Sequence, residues 1–461
     1  MSLSIRKVSA DARLDDNLAL EALATHLTPA LHDQIVSTHN VQEKRRRKLP
    51  ASVVLSLCVA MNLFASDSLT AVFRQMVHGL RWLWPDPDQL QVSKGAISQA
   101  RERLGARAVV ALFHHVCRSL VTADTPGAFH FGYRHLAIDT QTLNLADTPA
   151  NDHAFGRPST SHGIAAWPQA RLVGLVECGT HAYLDAGVWP YRADQHAAAQ
   201  RLERSLGPGD LLSYDCGLHS YTILARARAR GAHVLARLPA GMRPKLLESL
   251  SDGSVLAHID PPSGRRGRER GIVVRVIRYT LDDPSLPHVG EEHRLITTLL
   301  DPVHAPAGEV VWAYHARWEY ELAADEIETH QLPKRPLRSH TPVGVLQEIY
   351  GLLIAHYLVR SLMVQAAHAA DLPPTRLSFL ESLRLLRQYL PNFQTIAPRA
   401  HPKLRAALLA DLLRATLPPR RNRINPRVIK QWLSRFPVKR LHHRNWPKPT
   451  KPFREAIVLL N

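Results

Sequence analysis

The chain has 461 residues, with 58 Lys and Arg against 40 Asp and Glu, and a formal net charge of +18. Hydrophobic residues make up 45% of it, which excludes a disordered chain and leaves room for several domains around a substantial core. The four cysteines, at 58, 117, 178 and 216, contain no CxxC pair, which excludes a disulfide scaffold and a Cys-type zinc finger and suits a reducing cytoplasm.

The first sixteen residues lack the apolar segment of a signal peptide. Residues 15–37 and 50–83 carry apolar side chains at three- and four-residue spacing and are predicted helical. Between them Lys44, Arg45, Arg46, Arg47 and Lys48 form an unbroken basic run. Residues 90–104 predict a short helix capped by Ser93 that exposes Lys94, Gln99, Arg101 and Arg103. Such side chains read base edges or phosphates, although an ordinary amphipathic surface helix has the same composition.

From about 134 the texture becomes strand-like, at His135–Asp139, Thr142–Leu145, Leu172–Glu177 and Ala182–Trp189. A helix at Gln195–Leu206, a strand at Leu211–Tyr214, a helix at His219–Arg230 and a strand at His233–Leu238 follow. This order predicts a mixed sheet with helices on its faces. Residues 241–300 read as mostly β, with strands at Val255–Ile259, Ile272–Leu281 and Arg294–Leu300, and with Arg265, Arg266, Arg268 and Arg270 crowded in a Gly-containing loop. A long helix is predicted at about 306–330, and 341–416 is largely helical. The longest apolar stretches, Val53–Ala65 and Leu352–Val364, are shorter than the roughly 20 residues of a membrane span, and the second contains His356 and Arg360. A soluble, intracellular protein is expected.

Between Arg420 and Arg454 there are 12 Lys and Arg and no acidic residue, with Trp432, Phe436, Trp446 and Phe453 interleaved. Prolines there oppose a long membrane-surface helix. The clustering of basic residues points to a polyanion partner bound through counterion release, with a merely solvated basic surface as the plainer alternative.

Three carboxylates stand out by context. Asp139 closes the apolar run His-Leu-Ala-Ile-Asp, and Asp215 closes Leu-Leu-Ser-Tyr-Asp. A carboxylate at the carboxyl end of a central strand faces the crevice where α/β sheets bind ligands, whereas a turn-forming Asp at the same place merely caps the next helix. Glu321 lies in the predicted helix that also carries Tyr314 and Arg317. At about 100° per residue, positions 314, 317, 321 and 328 share a stripe roughly 60° wide. An Arg317–Glu321 salt bridge on a solvated face is the simpler account of it. Three carboxylates without His or Cys partners suit Mg²⁺ or Mn²⁺, and a pair of such ions about 3.5–4 Å apart serves phosphodiester chemistry.

These residues resemble the insertion-sequence-four family of bacterial DDE transposases. Tyr314, Arg317 and Glu321 match its Tyr-x2-Arg-x3-Glu-x6-Lys signature in identity and spacing. Asp139 with Thr140, and Asp215 with Gly217, Ser220 and Tyr221, resemble its first and second Asp motifs. Asp147-Thr148-Pro149-Ala150-Asn151 resembles the segment after the first Asp, and residues 45–105 resemble the family's N-terminal domain.

The resemblance implies an α/β fold: an RNase H-like catalytic domain with a β-rich insertion, flanked by a helical N-terminal DNA-binding domain and a helical, basic C-terminal region. The expected boundaries are 1–125, 126–240, 241–302 for the insertion, 303–340 for the Glu helix, and 341–461. The implied activity is cut-and-paste transposition through a DNA hairpin, with Asp139, Asp215 and Glu321 holding two Mg²⁺ or Mn²⁺ ions and Tyr314 and Arg317 holding the DNA end. The implied partners are double-stranded DNA, at element ends and target, and a second copy of the chain bound on that DNA, in a bacterial cytoplasm close to the nucleoid.

Two departures stand against the pattern. The signature Lys falls on Glu328, so either Lys334 or Arg335 replaces it or this chain handles the terminal phosphate differently, and Cys216 follows the second Asp where Arg is frequent in the family. A nuclease that nicks without joining strands, and a transposase-derived DNA-binding protein with an inert triad, are the alternatives. His135 and His219 adjoin the Asp motifs and could assist proton transfer, although a merely buried or surface histidine is the plainer reading, and Cys216 reads as a packing residue with no evident base partner.

Overall fold

The structure, a computed structural model, describes residues 5–8, 14, 18, 26–45, 47–81, 83–160, 163–262, 271–283, 290–332, 335–418 and 450–460. Two compact units divide it: Met1–Phe129 with Ile138–Ser205 and Glu319–Leu417, and His130–Ala137 with Leu206–Trp318 and Pro418–Asn461.

The first unit opens with helices α1 (Pro29–Thr38), α2 (Ala51–Leu63), α3 (Leu69–Met76), α4 (Lys94–Leu104) and α5 (Arg107–Val116). The helical pattern at 50–83 is two helices, because Ser68 starts a new one: its Oγ accepts from Ala71 N at 3.2 Å. Ser93 caps α4 as expected, accepting from Ala96 N at 3.1 Å. The short strand β1 (Phe129–His130) leads into β2 (Tyr133–Asn144), whose second half belongs to this unit. After α6 (Pro149–Phe155) and a hairpin of β3 (Ser159–Thr160) and β4 (Gly163–Ile164) come β5 (Gln169–Glu177), β6 (Ala182–Pro190) and α7 (Gln195–Leu202). The strand order is β6-β5-β2, with β5 and β6 antiparallel.

The second unit takes the first half of β2 and adds β7 (Asp210–Tyr214), α8 (Tyr221–Ala229) and β8 (His233–Arg237). Then follow β9 (Lys245–Ser249), β10 (Val255–Ile259), β11 (Ile272–Leu281), β12 (His293–Thr297) and α9 (Ala307–His315). β2, β7 and β8 are parallel neighbours, and β12, β11, β10 and β9 continue the sheet antiparallel. The predicted strands at 255–259 and 272–281 are found with those bounds. A central strand with parallel neighbours on one side, a β5–β6 hairpin and flanking helices is the RNase H-like arrangement. At the chain's end α14 (Phe453–Ala456) and β13 (Ile457–Leu459) return, and β13 pairs with β11.

Two expectations are corrected here. The long helix at 306–330 is three pieces: α9, then α10 (Trp318–Asp325), then a π-helical turn at Glu326–Gln331. Tight turns at Ala316 and Arg317, donating to Ala313 O and Tyr314 O, separate the first two. Asp139 does not end a strand, since β2 runs on to Asn144; it stands where four continuously buried residues give way to alternating burial.

The first unit is completed by α11 (Pro342–His368), α12 (Phe379–Thr395) and α13 (His401–Arg414). By length and composition α11 is able to cross a membrane, longer than its apolar run foretold, but 83% of its apolar window is buried inside the protein. It packs closely on α2: a Cβ at Gly351 would lie 2.1 Å from the Cys58 carbonyl oxygen, so only glycine permits the approach.

Candidate active site

In the first unit, Asp139 is half-buried on β2, and its Oδ1 accepts from Thr140 N at 2.7 Å. Its main-chain oxygen accepts from the Tyr320 hydroxyl at 2.8 Å. Burial, reinforced by Tyr183 and the Asp139 charge, pushes the Tyr320 phenol far up, so it stays a donor. Glu321, the next residue, is partly exposed on α10.

Around this helix lies an ionic cluster that the sequence reading missed. His181 Nε2 is 2.7 Å from Glu319 Oε2, and its Nδ1 is 3.0 Å from Glu326 Oε1. His356 Nε2 is 2.9 Å from Glu326 Oε2, and Arg360 Nη2 donates to Glu326 Oε1 at 2.8 Å. Burial alone would raise the Glu326 carboxyl, but Arg360 and His181 outweigh it and hold it below the usual range. The available signal was His356 and Arg360 interrupting an apolar run.

Glu328 stands at the signature Lys position, and lost hydration of its carboxyl, followed by the Asp325 charge, raises it. It falls in the π-helical turn, whose i→i+5 bonding breaks the 100° spacing. The stripe drawn from 314 to 328 is therefore broken twice, at the turns of Ala316 and Arg317 and again past Asp325.

In the second unit, Asp215 immediately follows β7, at its carboxyl end as expected. Ala137 of β2 and Ser213 of β7 are register partners, and each Asp comes two residues later. Asp215 Oδ1 accepts from Cys216 N at 2.7 Å and from the Tyr314 hydroxyl at 3.5 Å. Burial raises Tyr314, with Asp215 adding to it against the lowering effect of Arg317. Arg317 is buried, its guanidinium 5.8 Å from the centre of the Tyr314 ring. Burial and Asp215 raise the Cys216 thiol, which argues against a nucleophile. His135 is buried with Nε2 2.8 Å from Ser213 Oγ, and His219 is buried too.

Among the basic candidates, Lys44, Arg45, Arg47 and Lys48 are exposed, and Lys48 Nζ donates to Asp88 O at 2.8 Å. Lys94 and Gln99 are exposed on α4. Arg101, expected beside them, is buried at 8% exposure. It donates to Gln347 Oε1 at 3.1 Å, Ser339 Oγ at 3.1 Å and Gly344 O at 3.0 Å. One turn of helix separates a solvent face from a packed one, and Arg101 follows buried Ile97 and Ala100 onto the packed side. Arg335 is exposed, donates to Ala65 O at 3.3 Å, and lines with Lys94, Trp167 and Arg338 a cavity of about 1050 Å³ within the first unit.

Arg46, Lys334, the arginines at 265, 266, 268 and 270, and Trp432, Phe436 and Trp446 lie outside the described residues. The end of the basic tail is anchored on the second unit. Phe453 is buried in the second unit's core, Lys451 pairs with Asp282 at 2.7 Å, and Arg454 pairs with Glu309.

Asp139, Asp215 and Glu321 offer only oxygen donors, the set that hard divalent cations take. Among the described residues, no group of three or more His, Cys, Asp or Glu side chains is gathered closely enough to hold a metal ion.

Comparison with known proteins identifies the family. Residues 17–114 match the family "Insertion element 4 transposase N-terminal", and 124–358 match "Transposase DDE domain". The chain is 30% identical over 443 residues to the transposase InsG for insertion sequence element IS4 of Escherichia coli K12, covering 95% of this chain and 96% of InsG. It is 25% identical over 267 residues to the putative transposase InsZ of the same organism, covering 53% of this chain and 84% of InsZ. Among solved structures it is similar to a chain of the piggyBac transposase synaptic complex with hairpin DNA, with a TM-score of 0.45, 14% identity, and coverage of 91% and 88%. With the DDE match spanning half its length and InsG aligned almost end to end, the chain belongs to the insertion-sequence-four family of DDE transposases.

Proposed function

We propose that this transposase moves its element by cut-and-paste. Hydrolysis at the element end frees a 3′-OH, that hydroxyl attacks the opposite strand to leave a DNA hairpin, and the reopened hairpin end joins target DNA. Asp139, Asp215 and Glu321 would hold two Mg²⁺ ions, with Mn²⁺ able to substitute. Bound there, the cations would supply Lewis acidity for attack and for the leaving oxygen. The observation that carries this reading is the oxygen-only donor set of Asp139, Asp215 and Glu321 in a chain whose residues 124–358 match a transposase DDE domain.

The remaining residues act by binding. Tyr314, kept protonated by burial, donates a hydrogen bond, and Arg317 beside it supplies the charge that a terminal phosphate needs. Exposed Lys94, Gln99 and Arg335, on the wall of one cavity or beside it, would carry further DNA backbone, with Lys44, Arg45, Arg47 and Lys48 adding a second basic strip. Arg46 and Lys334 join these sets by sequence. The working form would be a homodimer assembled on paired element ends, in the bacterial cytoplasm by the nucleoid.

The test is a labelled duplex carrying the element's own end, incubated with Mg²⁺ or Mn²⁺ and read on a denaturing gel beside the Asp215→Asn protein. Metal-dependent nick and hairpin products, absent from the variant, are expected. Nicking without hairpin or joined product identifies a nuclease, and binding without cleavage identifies a DNA-binding descendant, for which Glu328→Lys is the first reversion to make.

A further inference from the structure

Glu321 has no rigid surroundings in the sequence: it stands in a polar stretch, eleven residues short of Leu332, where the helical segment ends. In the structure it is bracketed. Two residues before it, Glu319 meets His181 Nε2 at 2.7 Å; five residues after it, Glu326 meets His181 Nδ1 at 3.0 Å. One imidazole therefore spans both flanks. Glu326 is further held by His356 at 2.9 Å and by Arg360 at 2.8 Å, and Arg360 also contacts His181 Nδ1.

The cluster is built at evident cost. Arg360 is fully buried in the apolar helix α11, where an unpaired charge is strongly unfavourable. His181 is held at φ +59°, a conformation rare for residues with a side chain and maintained only where surrounding contacts over-determine it. The segment carrying Glu326 is a π-helical turn, a distortion found frequently beside functional residues. The guanidinium supplies the positive charge, so the His and Glu side chains do not form a metal site of their own among the described residues.

We infer that His181 and Arg360, acting through Glu319 and Glu326, are positioning residues that fix the rotation and height of the Glu321 helix turn for cation binding. This rests on the reading of Glu321 as a metal ligand. Groups that orient metal ligands from the outer shell typically change metal affinity or activity by ~10–100-fold when removed.

The experiment uses full-length protein and two variants, Glu319→Ala and Arg360→Lys. Glu319 is partly exposed and Ala is a good helix former, so this variant keeps the fold even if Arg360→Lys does not. Three quantities are read: Mn²⁺ affinity by calorimetry, the Mn²⁺ concentration for half-maximal nicking, and metal-free DNA binding with the melting midpoint. Mn²⁺ affinity ~10-fold weaker, with nicking shifted to match and with DNA binding and melting of Glu319→Ala unchanged, is expected. Unchanged Mn²⁺ affinity in a folded Glu319→Ala protein overturns the positioning role and leaves a structural cluster. Wild-type protein that binds no Mn²⁺, indistinguishable from Glu321→Gln, overturns the functional reading and this inference with it.

Discussion

The Tyr320 hydroxyl donates to the main-chain oxygen of Asp139 at 2.8 Å, tying the helix that carries Glu321 to the strand that carries the first Asp. A part-buried bond of this kind contributes about 1 kcal/mol. Tyr320→Phe should therefore fold, bind DNA normally and nick several-fold more slowly. Normal nicking by this variant would mean that the tie does not bear on the chemistry.

The carboxylates should separate binding from chemistry. Asp139→Asn, Asp215→Asn and Glu321→Gln are each expected to abolish nicking while gel-shift affinity for the element end stays within about twofold of wild type, because each change removes one oxygen ligand's charge and little volume. Any of the three that still cleaves is removed from the site.

Lys94 and Arg101 lie two turns apart on α4 but should behave oppositely. Lys94→Ala is expected to weaken DNA binding, lower the salt slope by ~0.9, and leave the melting temperature alone. Arg101→Ala strips a guanidinium from three buried acceptors, at ~1.5–3 kcal/mol of stability, and should lower melting without a specific change of salt slope. A reversed pattern in melting and filter-binding measurements would return Arg101 to the DNA surface.

The basic tail should divide in the same way. Replacing Arg420, Arg421 and Arg423 by Ala is expected to reduce the salt slope by up to ~0.9 per residue. Removing the whole tail is a poor test, since it also removes Phe453 and β13. Phe453→Ala alone should cost ~3–5 kcal/mol in urea denaturation while the salt slope holds.

Acid should loosen the second unit. Burial takes His315 down to about 4, and its ring stacks on Phe453 with centroids 3.9 Å apart. The folded state keeps His315 neutral, while the unfolded chain protonates it below ~6.5. Its stabilising contribution is therefore complete above that pH and lost as pH falls from 6.5 towards 4, at up to about 1.4 kcal/mol per pH unit. Urea midpoints at pH 7.5, 5.5 and 4.5 should fall less steeply in His315→Gln. An identical slope would place the acid sensitivity elsewhere.

Much of this molecule was legible in the chain because the signals are local. Asp215 reads as a strand-end carboxylate since Leu211–Tyr214 is a short, fully buried run, and Ser93 reads as a cap since an N-cap needs only its own first turn. The Tyr314, Arg317 and Glu321 spacing is likewise a property of consecutive residues.

What failed was decided at a distance. Arg101 looked exposed because helical periodicity cannot say which polar position a remote Gln347 and Ser339 will claim. Phe453 looked like part of a DNA-tracking tail, yet a core more than a hundred residues away buries it. The helix at 306–330 broke at Ala316–Arg317, and again into a π turn where Arg360 and His356 of α11 take hold of Glu326.

The sequence by itself determined which carboxylates stand at the motif positions, which stretches are basic, and which family pattern orders them. Only the tertiary structure decided which charges are buried and paired and which stay exposed, and which side chains flank Glu321. Chemical identity and local spacing are written residue by residue, whereas burial and pairing depend on contacts between segments that the chain alone does not rank.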